Sequence, residues 1–143
     1  MMLTTRRTGA PNPAPVPGRA RQLLLRADAE LVTAQFSAEP WEQFSHAHLA
    51  AVRAAAAVVA AEGAPTGRSA PRTVWGMLGS VAPELSRWAA VFADAAPLRA
   101  AVEAGRFDRV TAARAEEALC EAEDFVDVVR SVLAREAQTA RAS

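Results

Sequence analysis

Lysine, isoleucine and tyrosine are missing altogether from these 143 residues, and cysteine occurs once, as Cys120. Each absence excludes something. All 16 basic residues are Arg, balanced by 16 Asp and Glu to a formal net charge of zero, which argues against a protein that holds nucleic acid by bulk positive charge. A lone cysteine forms no intramolecular disulfide, and with His46 and His48 as the only histidines there is no zinc-type ligand spacing. With no Ile or Tyr, and only five Phe and three Trp, the chain is poor in the large β-branched and aromatic residues that strands draw on, which disfavours a β-sandwich. No apolar run reaches about 18 residues, so no transmembrane helix is expected. Arg6 and Arg7 are followed by Pro11, Pro13, Pro15 and Pro17 rather than by an apolar stretch, which reads as a tail and not as a signal peptide. The expected location is cytoplasmic.

What the sequence has instead is alanine, 36 residues of it, within a composition that is 51% hydrophobic. Small methyl side chains favour helices that pack closely. From Arg19 the residues Leu24, Ala27, Leu31 and Ala34 recur at helical spacing to about Ala38. Pro40 suits the first position of a second helix, in which Trp41, Phe44, His48, Val52, Ala55 and Val59 trace one stripe to Gly63. Residues 63–71 are turn formers. A third helical region follows, a short piece with Val74, Trp75, Met77 and Leu78, then a longer one capped by Ser80 and entered at Pro83. A brief segment from Leu98 to Ala104 stops at Gly105, and Thr111 opens the longest helix, expected to end close to Ala137. Such faces can bury themselves only against one another, so the fold class is all-α, an antiparallel four- to five-helix bundle. The organisation is a disordered Pro- and Arg-containing tail (1–18), a bundle (19–137) and a C-terminal tail (138–143). Within the bundle, Ala56 is expected in the close-packed row of the second helix.

Few residues point to chemistry. His46 and His48 are two apart on one helix and so face different ways, His48 along the apolar stripe, and no metal site is expected of them. Arg53 has no carboxylate three or four residues away in its own helix. An ion pair with the acidic row Glu116, Glu123, Asp127 of the last helix is preferred for it over an anion contact. Trp75, Trp88 and Phe92 supply bulk that Ala cannot, as core or, if exposed, as a dimer seam. Ser, His and Asp form no nucleophile elbow, and Gly76, Gly79 and Ser80 complete no phosphate loop. No catalytic residue and no cofactor is expected.

Four stretches carry a resemblance: Ala47-His-Leu-Ala-Ala-Val-Arg53-Ala-Ala-Ala-Ala-Val-Val, Ser69-Ala-Pro-Arg-Thr-Val-Trp-Gly-Met-Leu78, Val81-Ala-Pro-Glu-Leu-Ser-Arg-Trp-Ala-Ala90 and Glu121-Ala-Glu-Asp-Phe-Val126. Together they make the chain, over about residues 19–137, similar to the HEPN (higher-eukaryote and prokaryote nucleotide-binding) superfamily, closest to a small actinobacterial branch. The resemblance implies a helical bundle that is often dimeric. Many members are ribonucleases that set an Arg five to seven positions ahead of a His, with four to six residues between, but residues 39–43, where that Arg would stand, are Glu39, Pro40, Trp41, Glu42 and Gln43. Arg106, Arg109 and Arg114, near the start of the last helix, have no His after them. The resemblance therefore implies a non-catalytic interaction or RNA-associated module. The alternatives are a divergent metal-independent ribonuclease and a nucleotide- or small-ligand-binding bundle. The expected partners are a second copy of the chain and RNA or a nucleotide, not a membrane. Arg53, His46, His48 and Arg72 are the candidate anion or partner contacts.

Overall fold

The computed structural model of the chain describes residues 16–142. Most of the expected N-terminal tail, residues 1–15, lies outside the described residues; Val16 already packs against the core, and Gly18 is helical. Among the described residues there are six α-helices and no strand: α1 (Gly18–Gln35), α2 (Pro40–Glu62), α3 (Val74–Val81), α4 (Ser86–Ala93), α5 (Ala96–Glu103) and α6 (Ala112–Ala142). Single 3-10 turns at Pro83–Leu85 and Phe107–Arg109 precede α4 and α6.

The ends of these helices follow local chemistry. Pro40 begins α2, where its missing N–H costs nothing, and Gly63 ends it at φ 93°, a conformation only glycine adopts without strain. Thr73 caps α3, its hydroxyl oxygen accepting from the Gly76 N–H at 3.0 Å. The expected cap, Ser80, is instead inside α3. The break falls at Ala82, because Pro83 pushes the residue before it out of helical geometry, to φ −140° and ψ 74°. Thr111 accepts from the Arg114 N–H at 3.0 Å and so caps α6. That helix runs to Ala142, past the expected end near Ala137. The expected tail from residue 138 is thus helical through Ala142, since Ala137-Gln-Thr-Ala-Arg-Ala142 holds no Gly or Pro to stop it.

Side-chain pairs give the directions of the long helices. On α1 and α6, Asp28 meets Arg130 at 2.7 Å and Gln35 meets Glu123 at 2.8 Å, so one number rises as the other falls and the helices are antiparallel. Glu30–His46 and Ala34–Gln43 relate α1 to α2 in the same sense. Between α2 and α6 the guanidinium of Arg114 sits over the Phe44 ring near one end, and Glu62 bonds Glu136 near the other, so these two run parallel. The short helices α3 to α5 return the chain between them.

The core has two textures. Where α1, α2 and α6 meet, alanines at a spacing of seven on α1 (Ala20, Ala27, Ala34) are fully buried, as are Ala47, Ala51, Ala54 and Ala55 on α2 and Ala115 and Ala122 on α6. Ala56, expected in this row, is only half-buried; Ala54, Ala55 and Ala57 take the enclosed positions. Where α3 and α4 pack, rings replace methyls. α2 is also long and apolar enough to cross a membrane by length and composition, contrary to the expectation that no segment would qualify, but 56% of its apolar window is buried inside the bundle.

Candidate functional site

The aromatic half centres on Phe125 of α6, fully buried, with Phe92, Trp88 and Trp75 at ring distances of 5.2, 5.5 and 6.2 Å. Trp75 stacks on Phe92 at 5.0 Å, and His48 approaches both rings edge-on at 6.0 and 6.4 Å. Phe92 is buried, while Trp75 and Trp88 are half-buried. The three aromatics singled out in the sequence are thus brought together in one cluster with His48 and Phe125.

His48 is the one buried polar side chain among the described residues, 5% exposed. Burial pushes its imidazole down to about 4, and the positive charges of Arg99 and Arg114 push the same way, so near pH 7 the ring is neutral. A neutral imidazole carries one N–H donor and one nitrogen acceptor. No hydrogen bond from another described residue engages either nitrogen.

The ring forms part of the wall of a cleft of about 520 Å³ between α2, α3 and α5. Leu49, Val52, Val74 and Val102 line it with Trp75 and Phe92. Its polar groups besides His48 are Ser45, Thr73, Arg99 and Glu103. Ser45 spends its proton on the Trp41 carbonyl at 2.8 Å, whereas Thr73 uses only its oxygen, leaving its O–H free to donate. Arg99 and Glu103 pair at 3.1 Å across one turn of α5, both exposed at the rim. Next to Trp75, a Cβ on Gly76 would stand 2.7 Å from the Pro71 Cβ, so α3 and the preceding loop approach too closely there for any other residue without movement.

The remaining candidates are elsewhere. His46 lies half-buried with Nδ1 2.7 Å from Glu30 of α1, away from the cleft. Arg72 is exposed in the connection before α3. Arg53 is half-buried with its Nε enclosed and without a hydrogen-bond partner. The ion pair expected for it with Glu116, Glu123 and Asp127 is not formed among the described residues; Glu123 accepts from Gln35 instead, because antiparallel α1 brings that amide to α6 first. Arg114 pairs with Glu117 at 3.3 Å and stands 3.7 Å from Glu121, whose carboxyl burial raises above the usual range. At the opposite end of α6, Glu136 is pushed up to about 7 by its hydrogen bond to Glu62, by burial and by the nearby charges of Glu62 and Glu84. No group of three or more His, Cys, Asp or Glu among the described residues could hold a metal ion.

Sequence reasoning missed Thr73, Arg99 and Glu103. Thr73 carried a signal, a hydroxyl residue just ahead of an apolar helical run. Arg99 and Glu103 carried only their four-residue spacing, common on any solvated helix.

Compared with known families, the chain matches the sequence profile of the SAV_6107-like HEPN family over residues 34–130. No curated protein and no solved structure matches it.

Proposed function

Because this chain belongs to the SAV_6107-like HEPN family, we propose that it is a non-catalytic HEPN module that acts by association, with a second copy of itself as the first partner. The observation that carries this reading is on α1. Leu25, Val32 and Phe36 are 62%, 53% and 84% exposed, and with Ala29 between them they recur at intervals of four, three and four residues. That spacing makes one apolar seam along a helix, the pattern by which two helices pack side by side.

Charge favours a second copy in antiparallel orientation. Arg19, Arg21 and Arg26 are exposed in the first half of α1, and Glu39 is exposed just beyond its end. Two such helices crossing at Ala29 set the basic end of each beside the acidic end of the other, a self-complementary two-fold contact. The small side chain at the crossing lets the backbones approach. The same arginines are what favours RNA as a further partner.

Two features support the non-catalytic part. Neither histidine follows an Arg at the spacing of the ribonuclease members. His48 is moreover uncharged and His46 is held by Glu30, on different faces of α2. Sedimentation equilibrium is the test: the chain should be a dimer at micromolar concentration, and Val32→Glu should be monomeric with an unchanged helical circular-dichroism spectrum. A chain that stays monomeric over the whole concentration range would remove the self-association, and RNA cleavage abolished by His48→Ala would replace the reading with a ribonuclease.

A further inference from the structure

The cleft beside His48 has a composition that the association along α1 does not use. Its walls are apolar, so whatever enters must present mostly apolar surface. Its polar groups are unequal in kind. The donors are the imidazole N–H of His48 and the hydroxyl of Thr73, both unengaged, and the guanidinium of Arg99. The one anionic group, Glu103, is exposed and already paired with Arg99. An exposed pair of that type is weak, so Arg99 can exchange partners at little cost. His48 is 5% exposed, its ring lines the cleft and neither nitrogen is bonded to another described residue, so a molecule in the cleft can engage it.

We infer that this cleft is a binding site for a small carboxylate carried on an apolar body. The carboxylate is held by Arg99 and by the donors of His48 and Thr73, and the body lies against Trp75 and Val52. Arg99 and a carboxylate match as fork to fork at the rim, while the apolar walls hold the body. A neutral molecule of the same shape gains the walls alone, and a carboxylate without a body gains only the rim. The volume, about 520 Å³, accommodates one aromatic ring with a short acid arm.

Calorimetric titration of the full chain with phenylacetate, phenylacetamide and acetate tests the inference. Phenylacetate should bind saturably, and phenylacetamide and acetate at least tenfold more weakly. Arg99→Gln, an exposed change on α5 that leaves the core intact, should weaken phenylacetate about tenfold or more, the usual worth of a hydrogen bond to a charged group. Glu103→Gln, which removes the competing carboxylate, should tighten it. Equal binding of phenylacetate and phenylacetamide, indifference to Arg99→Gln, or no heat with phenylacetate at millimolar concentration would each overturn the site. Because the α1 seam is not touched, sedimentation of the same variants keeps this result separate from that of the dimer.

Discussion

The two halves of the core solve the same problem with different material. Where α1, α2 and α6 meet, fully buried alanines let the helices approach closely. Where α3, α4 and α5 pack against α2 and α6, four aromatic side chains and an imidazole fill the space. Planar groups in edge and stacked contacts do not close that space to the surface, and the cleft lined by His48 remains. The comparison teaches that the binding-competent part of this bundle lies where the packing changes from methyl groups to rings. An all-alanine bundle would be sealed.

The largest effect should come from removing the ring on which the aromatic half is assembled. Phe125→Ala deletes contacts with Trp75, Trp88 and Phe92 at once and leaves a cavity that three large, stacked side chains cannot easily fill. A loss of about 3–5 kcal/mol is expected from urea denaturation. If the loss stayed below about 1 kcal/mol, the aromatic cluster would be an ornament on an alanine-packed fold rather than half of its core.

Acid should separate the halves next. Burial and the charges of Arg99 and Arg114 hold His48 at about 4, against 6.5 in the unfolded chain. The unfolded chain therefore takes up a proton that the folded chain refuses, and the stability contributed by the neutral ring is complete above pH 6.5 and lost as the pH falls from 6.5 to 4. The loss is on the order of 3 kcal/mol. Glu136, raised to about 7, works in the opposite sense: its contribution is complete below about pH 4.5 and lost as the pH rises through 7. Thermal melts of the wild type and of His48→Phe between pH 4 and 8 isolate the first term. The wild type should lose stability toward acid relative to the variant, and parallel curves would show that the imidazole is not shielded from water.

Much of the fold was legible in the sequence because its boundaries are made by residues with a local mechanism. Pro40, Gly63, Gly105 and Thr111 end or begin helices for reasons that need no tertiary contact. Ser80 misled for the same kind of reason: a good capping residue was taken as the boundary, while the stronger constraint was Pro83 acting on Ala82. The opposite faces of His46 and His48 could be read from helical spacing, and the structure gives them different partners, Glu30 and the aromatic cluster. The environment of Arg53 could not be read, because Glu123, one of the carboxylates expected to pair with it, is taken by Gln35 of α1. The cleft was hidden because His48 on α2, Thr73 at the cap of α3 and Arg99 on α5 are far apart in the chain, and no pattern along it states that α5 returns to the side of α2.

The smallest effects give the sharpest form of the comparison, since they can be measured two residues apart on one helix. Ala54 is fully buried in the methyl-lined half, and Val52 lines the cleft. Ala54→Leu adds volume where there is no space, and it should force neighbouring side chains off their rotamers at about 1–3 kcal/mol. Val52→Leu adds one methylene toward open volume. Its expected change lies within about 0.5 kcal/mol, as for a surface position, because the new group displaces solvent and not protein. Chemical denaturation of both variants checks the pair. If Ala54→Leu were as well tolerated as Val52→Leu, the alanine half would have slack of its own, and the contrast between a sealed half and an open one would fail.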